Sequence, residues 1–315
     1  MKVLITGVSG FVGSGLVSYL GTFPDITLIG HGRNLPELQN KFKNHKIQFI
    51  DSYSASVLEE QGIDFIIHLA GIAHDLSNKF QTEDYYKVNA DGTKFIFDEF
   101  LKSRARGFIF LSSIKACVDT SENPADENTN PVPVSDYGKS KLAAEQYIVD
   151  QILPPDKKAY VFRPCMIHGK GNKGNLNLLY KYVKSGLPYI FGSYSNKRSF
   201  LTSDNLNFIT LQFLQNNYPS GIYHLADEGY LSTNDLVRII SESISSKPRI
   251  WDVNASLLNF LSSAGSGIGL PSKKMKQKLT ESLVVSTEKL KKTLQQPLPI
   301  DIKAGLMNTL KSFNE

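Results

Sequence analysis

Short apolar runs alternate with longer amphipathic stretches along the first half of this chain of 315 residues. The runs have the length of strands buried on both faces of a sheet, and the stretches between them carry apolar residues at helical spacing. The pattern predicts strands at residues 3–6, 26–30, 47–50, 65–69, 107–112 and 159–162, and helices at 11–20, 84–101 and 136–151. Strand and helix in alternation predict an α/β fold with a doubly wound parallel sheet.

The pattern changes after residue 163. Residues 169–173 are rich in Gly, Lys and Asn and predict a loop, whereas residues 176–185 and 232–243 have helical spacing, with a cap at Ser232 or Thr233. Residues 221–225 predict one more strand. We therefore expect a sheet domain at residues 1–163, with a return strand near 221–226, and a smaller region mainly at 164–315. Within that region we expect a buried helix at 257–261 and a mobile loop at 262–269.

A glycine-rich segment follows the first predicted strand and opens the first predicted helix. It reads Gly7-Val8-Ser9-Gly10-Phe11-Val12-Gly13. Glycines at this spacing let the chain turn tightly and let backbone N–H groups approach a pyrophosphate at the start of a helix. The sheet domain is thus predicted to bind a dinucleotide. The expected contacts are Gly7, Gly10, Phe11, Val12 and Gly13.

The second predicted strand bears on the choice of dinucleotide. An acidic residue about 20 residues past the glycines would bind the ribose 2′-hydroxyl of NAD. The chain has His31 and Arg33 there, and a guanidinium suits a 2′-phosphate. The cofactor is therefore expected to be NAD(P), with NADP slightly favoured by Arg33. Asp51, after the third strand, is placed to contact the adenine or to cap a helix.

A Tyr-x-x-x-Lys pair begins the helix predicted at 136–151. Tyr137 and Lys141 lie four apart and share one helical face. An ammonium beside a phenol favours the phenolate, so the pKa of Tyr137 is expected to fall and the phenol to exchange a proton with a sugar hydroxyl. The third partner is expected at the end of the strand predicted at 107–112. Ser113 is the first choice there and Ser112 the second.

Composition excludes several other classes of protein. The net charge of +5 fits an anionic ligand and an ordinary surface equally well, and it is too small and too dispersed to predict nucleic-acid binding. Two cysteines, at positions 117 and 165, give neither a disulfide framework nor a metal site. No apolar stretch reaches the length of a membrane span. A cytoplasmic enzyme without membrane insertion is expected.

Taken together, these motifs resemble the extended short-chain dehydrogenases/reductases, the NAD-dependent epimerase/dehydratase family. The matching segments are 7–13, 68–71, 88–93, 112–113, 137–141, 163–164, 198–200 and 231–233. Within the family the chain is most similar to the UDP-glucose 4-epimerase-like subgroup of bacterial polysaccharide biosynthesis, through residues 111–115 and 171–176. The resemblance implies a Rossmann fold, a nucleotide-sugar substrate and a homodimer formed through the helix that carries Tyr137 and the neighbouring helix.

The resemblance also implies a role for each matched residue. Ser113 would polarise the reacting hydroxyl, Tyr137 would be the acid/base, and Lys141 would bind the nicotinamide ribose. Arg198 would contact the substrate diphosphate. Further implied cofactor contacts are Leu69, Ala70, Gly71, Asn89 and Pro164, in addition to Tyr137 and Lys141. The implied substrate contacts are Ser113, Tyr137, Asn175, Leu176 and Arg198.

Departures from the family pattern reduce the number of reactions that the chain is expected to catalyse. Dehydratases of the family follow the catalytic hydroxyl with Asp-Glu, but Ile114 and Lys115 follow Ser113 here, so dehydration is disfavoured. A UDP-N-acetylhexosamine 4-epimerase is expected first, and a UDP-4-keto-6-deoxy-hexosamine 4-reductase is the alternative. A non-catalytic NADP-sensing protein is a distant third, because such proteins lose the Tyr-Lys pair. Lys115 is expected either near the substrate or in solvent, and His168 replaces a common tyrosine without an assigned role.

Overall fold

The computed structural model describes residues 1–73, 80–172, 174–253, 277 and 279–313. Its strands are β1 (Lys2–Thr6), β2 (Thr27–His31), β3 (Ile47–Ile50), β4 (Phe65–His68), β5 (Gly107–Leu111), β6 (Ser121–Ala125), β7 (Lys158–Pro164), β8 (Met166–His168), β9 (Phe200–Thr202), β10 (Gly221–Leu225) and β11 (Leu283–Val285). Its helices are α1 (Phe11–Leu20), α2 (Leu35–Lys41), α3 (Ala55–Glu60), α4 (Thr82–Tyr85), α5 (Gly92–Lys102), α6 (Asp136–Val149), α7 (Asn175–Lys184), α8 (Ser203–Gln215), α9 (Thr233–Ser243), α10 (Glu288–Leu294) and α11 (Ile302–Lys311).

Seven parallel strands form the central sheet, in the order β10-β7-β5-β4-β1-β2-β3. The predicted doubly wound α/β fold is therefore confirmed. The strand order reverses between β1 and β4, and ligands of such sheets bind outside the carboxyl ends of the strands at this switch point. The ends of β1, β2, β4, β5 and β7 thus define where a site is expected.

Two apolar layers cover the faces of the sheet. Adjacent residues of β1 enter different layers, because successive side chains of a strand point to opposite faces. Ile5 packs in a cluster with residues of α1 and α8, and Leu4 packs in a cluster with residues of α5 and α6. The helix α8, which the sequence pattern did not predict, therefore returns from the C-terminal half to cover the sheet beside α1.

The helix predicted at 84–101 contains an irregular turn. α4 and α5 are joined by a π-helical turn at Tyr86–Asp91, which adds a residue to the local repeat. This turn buries Asn89 completely. Single π turns inside α-helices are frequent at functional sites, and this one directs an amide side chain towards the carboxyl edge of the sheet.

A smaller apolar cluster joins α7, α9 and α11 in the C-terminal half. Two small parallel sheets, β8 with β9 and β6 with β11, connect this half to the central sheet. The helix predicted at 257–261 and the loop predicted at 262–269 lie outside the described residues. Cys117 and Cys165 are buried and form no disulfide. Over the described ranges, no helix is both long and apolar enough to cross a membrane.

Candidate active site

The glycine-rich segment forms a tight loop between β1 and α1. Gly7 has a φ of +67°, and a Cβ there would lie 2.7 Å from the Ala70 backbone nitrogen. A Cβ at Gly13 would lie 2.5 Å from the Gly7 carbonyl oxygen. Only glycine fits either position, since an L side chain would be strained at Gly7 and would clash at Gly13. Gly10 precedes α1 and provides no side-chain cap, so the first turn of α1 is left to a ligand.

Asn89 fixes the loop that follows β4. Its Oδ1 accepts the Ile72 N–H at 2.8 Å, and its Nδ2 donates to Ile72 O at 3.0 Å and to Ser140 Oγ at 3.0 Å. The side chain therefore ties this loop to α6. A Cβ at Gly71 would lie 2.8 Å from Asn89 Oδ1 and 3.3 Å from Lys141 Nζ. The segment Leu69 to Gly71 thus faces the lysine predicted to bind the cofactor.

The ends of β2 and β3 bring His31, Arg33 and Asp51 to one edge. His31 Nε2 lies 3.3 Å from Asp51 O, and burial together with the Arg33 charge lowers the pKa of His31. The exposed Arg33 side chain makes no hydrogen bond or ion pair with another described residue. Asp51 is also exposed. Both side chains are therefore accessible to a ligand at this edge.

The sequence analysis missed Lys41 at this edge. Lys41 ends α2 and donates to Ser9 O in the glycine loop at 2.5 Å. The helix itself was missed, although Asn34 and Glu37 provide a recognisable start, in which Asn34 Oδ1 accepts the Glu37 N–H at 3.4 Å. The Lys41 ammonium therefore contacts the glycine loop. It adds a second cation, after Arg33, to this part of the protein.

Tyr137 and Lys141 lie in the first two turns of α6, and Ser113 meets them from the end of β5. The Ser113 side chain lies close enough to the Tyr137 phenol to lower its pKa. The approach of the two segments requires Gly138, because a Cβ there would collide with the Lys115 carbonyl oxygen. The structure thus brings the three predicted catalytic residues together at the carboxyl edge of the sheet.

The ionisation of this trio differs from the expectation. Burial raises the pKa of Tyr137 to about 12, although the nearby Ser113 hydroxyl acts in the opposite direction. Burial lowers the pKa of Lys141 to about 8, against the effect of Glu145. The predicted fall in the pKa of Tyr137 is therefore wrong for the protein without ligand. The physical reason is that removing the phenolate from water, together with the negative charge of Glu145, outweighs the stabilisation that Ser113 provides.

Ser112, the second choice for the catalytic hydroxyl, points into the protein. Its hydroxyl donates to Glu145, and Glu145 accepts from Arg163 Nη2 at 2.6 Å and from Arg163 Nε at 3.0 Å. Arg163 Nη1 lies 3.3 Å from His224 Nε2. All four side chains are buried. Ser113, rather than Ser112, thus faces Tyr137.

Lys115 is held by an ion pair. Its Nζ lies 2.8 Å from Asp119 Oδ1 and donates to Asp119 O at 2.9 Å. The other carboxylate oxygen of Asp119 accepts the Val134 N–H at 2.8 Å. Lys115 therefore fixes the turn after Ser113 to the segment that precedes α6, and its side chain is still 38% exposed.

The residues expected at the substrate lie on the C-terminal half. Asn175 starts α7 and is exposed, whereas the Leu176 side chain is buried among α7, α9 and α11. A ligand contact of Leu176 would therefore involve its backbone. Arg198 is half-buried, and burial lowers its pKa although the Cys165 thiol opposes this. Because Cys165 follows Pro164, which ends β7, Arg198 lies at the same edge as the cofactor residues.

His168 belongs to the interior. Its ring is fully buried, its Nδ1 lies 2.9 Å from Thr309 Oγ1, and its Nε2 lies 3.8 Å from Asp227 Oδ2. These contacts join β8 to α11. The structure therefore gives His168 a packing environment away from Tyr137.

Comparison with curated proteins identifies relatives over most of the chain. The model of the NAD dependent epimerase/dehydratase family matches residues 3–226. A UDP-glucose 4-epimerase of Vibrio cholerae is 27% identical, over 99% of this chain and 95% of that protein. An N-acetyl-alpha-D-glucosaminyl-diphospho-ditrans,octacis-undecaprenol 4-epimerase of Escherichia coli O157:H7 is 29% identical, over 78% of this chain and 73% of that protein.

A solved structure extends the likeness to the whole fold. The UDP-glucuronic acid 4-epimerase from Bacillus cereus in complex with NAD superposes with a TM-score of 0.75 at 19% identity. The match covers 100% of this chain and 99% of the Bacillus chain. At this identity the likeness establishes a shared fold. The reaction and the substrate depend on the residues of the site.

Proposed function

The chain belongs to the NAD dependent epimerase/dehydratase family and is an NAD(P)-dependent enzyme, and from this premise we propose that it is a UDP-sugar 4-epimerase acting on a UDP-N-acetylhexosamine. The observation that carries the proposal is the close approach of Ser113, at the end of β5, to the helix that carries Tyr137 and the buried ammonium of Lys141. Such a set can move a hydroxyl proton while hydride leaves the same carbon. Two relatives named as 4-epimerases support this reaction, and one name specifies an N-acetylglucosaminyl sugar.

The carboxyl edge of the sheet fits a nicotinamide dinucleotide. Gly7, Gly13 and Gly71 leave no space for a Cβ, so the backbone can approach a pyrophosphate and ribose closely. Lys141 Nζ donates to Leu111 O at 2.9 Å, its one acceptor among the described residues. An ammonium has three donors, so this buried one retains hydrogens for a ribose hydroxyl. NAD(P), when bound, supplies the acceptor for the substrate hydride.

Tyr137 is the proposed acid/base, and Ser113 orients the reacting oxygen. In the oxidation of C4, Tyr137 takes the hydroxyl proton while the C4 hydrogen leaves as hydride. In the return step Tyr137 gives the proton back, and hydride reaches the opposite face of C4. With a pKa of about 12 the free phenol is protonated at neutral pH. Proton abstraction therefore requires that a cationic nicotinamide ring, when bound beside Tyr137, lowers this pKa.

A Tyr137→Phe variant tests this function. Without the phenol we expect the kcat for interconversion of UDP-N-acetylglucosamine and UDP-N-acetylgalactosamine to fall by about 10²–10⁴-fold. Proton NMR of the anomeric signals measures the rate. Tyr147→Phe is the matched control, because Tyr147 lies on α6 and donates to Asp98 at 2.5 Å, away from Ser113. An unchanged rate for Tyr137→Phe would refute the mechanism.

The same assay tests which group carries the sugar, a uridine diphosphate or a polyprenyl diphosphate. One relative is named for an undecaprenyl diphosphate sugar, whereas the other is named for a UDP-sugar. We expect turnover of the UDP-sugar. Turnover of a polyprenyl diphosphate N-acetylhexosamine in its place would overturn the proposed carrier and retain the 4-epimerisation.

A second candidate function is reduction of a UDP-4-keto-6-deoxy-hexosamine by NADPH. It is favoured by Arg33 and Lys41, two cations at the edge where an adenine ribose would lie. A 2′-phosphate would bring them opposite charge, and the cellular NADPH pool is suited to reduction. Both reactions use Ser113, Tyr137 and Lys141, so cofactor preference separates them. Retention of these three residues argues against an NADP-sensing protein. Ile114 and Lys115, which follow Ser113, stand where dehydratases of the family have Asp-Glu, so dehydration is disfavoured.

We also propose that the chain is a homodimer. Two apolar side chains, Val88 and Phe95, lie seven residues apart along the helix formed by α4 and α5 and are 40% and 54% exposed. Val149, at the end of the neighbouring α6, is 52% exposed. An apolar stripe of this kind, rimmed by Lys and Asp, is typical of a helical interface.

A further inference from the structure

Glu145 is a buried carboxylate directly behind the active site. It is 1% exposed, as is its partner Arg163. Both carboxylate oxygens accept from Arg163 and one also accepts from the Ser112 hydroxyl. Taking two charges from water costs several kcal/mol per ion, and an apolar pair of similar volume is often as stable or more so. Stability alone therefore does not account for this ion pair.

The ion pair touches three parts of the active site at once. Glu145 lies one turn after Lys141 on α6, so both side chains share a helical face. Ser112 precedes Ser113 in the chain, and Arg163 precedes Pro164 at the end of β7. A single carboxylate thus connects the catalytic helix to the ends of two neighbouring strands.

We propose that Glu145 is a positioning residue that holds Lys141 as an ammonium ion and fixes the strand end that carries Ser113. Its electrostatic part is independent of the substrate. Its catalytic consequence rests on the proposed function, because it concerns the rate of sugar oxidation.

The titratable groups around Glu145 determine how its removal changes the pKa of Lys141. Arg163, at the end of β7, forms the ion pair with Glu145. The negative charge of Glu145 raises the pKa values of Lys141 and Tyr137 on α6. On β10, burial and Arg163 lower the pKa of His224 to about 4, so this ring is neutral at pH 7. After β5, burial raises the pKa of the Cys117 thiol, which is also neutral. Removal of Glu145 therefore takes away the carboxylate that raises the pKa of Lys141, and it leaves Arg163 with Glu127 as the other carboxylate that acts on it.

A Glu145→Gln variant tests the proposal without any substrate. Glu145 raises the pKa of Lys141, so its removal should move the loss of the Lys141 proton to lower pH. In protein labelled with ¹⁵N-lysine, NMR titration should show a midpoint near pH 8 for the wild type and one lower by about one pH unit or more in the variant. A Lys141→Arg variant assigns the signal. Asp150→Asn, an exposed change after α6, should leave the midpoint unchanged.

An unchanged midpoint in Glu145→Gln would overturn the proposal, whatever the enzyme does to UDP-sugars. If Glu145→Gln fails to fold, the double variant Glu145→Gln/Arg163→Met removes both buried charges and should move the midpoint in the same direction. In active enzyme, kcat should fall on the basic side of its pH profile at a pH that moves down together with the Lys141 midpoint. Ser112→Ala should lower kcat without moving this pH, and equal shifts in both variants would contradict the assigned role. Inactivity of the wild type on every sugar would reject the proposed function and leave the titration as a valid test.

Discussion

At the scale of single residues, the site combines groups whose ionisation is set by burial with groups that remain in water. Tyr137 and Lys141 have pKa values of about 12 and 8 because both are removed from solvent. Arg33 and Lys41 are exposed cations at the other end of the proposed cofactor site. Tyr137 and Lys141 concern the chemistry, and Arg33 and Lys41 concern which dinucleotide binds.

Under the second candidate function, reduction by NADPH, the two exposed cations predict a preference for NADP. Replacing Arg33 by Ala and Lys41 by Gln should each weaken NADP binding about tenfold or more and change NAD binding little, since charge-assisted hydrogen bonds contribute about 1.5–3 kcal/mol. Isothermal titration with both dinucleotides measures this. Lys43→Gln, another exposed lysine just after α2, is the control. Tight NAD retained through purification, with no response of NADP binding to either variant, would contradict the preference and favour the epimerase.

The trio of Ser113, Tyr137 and Lys141 was predictable because each residue stands at a fixed offset from a local element. The ion pair of Glu145 and Arg163 was not. Glu145 follows Lys141 at helical spacing, which in sequence is typical of a solvated helix face. Only the approach of α6 to β5 and β7 turns that face inwards. The raised pKa of Tyr137 was missed for the same reason, since burial is a property of the assembled fold.

At the scale of elements, the contact between α6 and the turn after β5 brings the acid/base to its partner. Gly138 makes this contact possible, since any side chain would meet the Lys115 carbonyl. Asn89 adds a second tie through the π turn, because it joins the loop after β4 to Ser140 on α6. The geometry of the site therefore depends on how closely α6 can approach the sheet.

A Gly138→Ala variant should separate α6 from the turn. We expect it to destabilise the protein by about 1–3 kcal/mol and to lower kcat, because Tyr137 moves away from Ser113. Urea unfolding and steady-state kinetics measure both effects. Gly15→Ala is the matched control. Gly15 lies inside α1, and a Cβ there would lie 3.8 Å from Asn207 Nδ2 on α8, which is an ordinary van der Waals contact. Equal effects of the two substitutions would show that close approach at Gly138 is not required.

Elements with strong local patterns were predicted from the sequence to within a residue or two, as for α1 and β3. Those without such patterns were missed. β6 has the sequence Ser-Glu-Asn-Pro-Ala, which has little strand propensity, and it pairs with β11 far along the chain. The π turn was missed because one added residue hardly alters helical spacing.

At the scale of the whole molecule, the chain covers both faces of its sheet but leaves apolar side chains exposed on α5 and α6. The proposed homodimer would bury these side chains. The same helices carry Tyr137, Lys141 and Asn89 on their inner faces. Dimerisation would therefore support the helices that position the site, without contributing a residue to it.

A Phe95→Glu variant tests the dimer. A charge at the centre of the stripe should yield monomers, because an unpaired carboxylate would have to be buried in the interface. Sedimentation velocity measures the mass. Leu187→Glu is the matched control, since Leu187 is also 54% exposed but lies in the C-terminal half. A wild type that is monomeric at micromolar concentration, or a dimer that survives Phe95→Glu, would contradict the proposed interface.

The position of β10 at the edge of the sheet has a consequence for biosynthesis. β7 ends at residue 164, but its neighbour β10 begins only at residue 221. At roughly 5–20 residues per second, a ribosome takes several seconds to make the intervening segment. During that time a nascent chain presents β7, with its buried Tyr160 and Phe162, as an open strand edge. Stalled or truncated products that end inside this interval should therefore aggregate, and chaperone capture during translation would protect the chain at this stage.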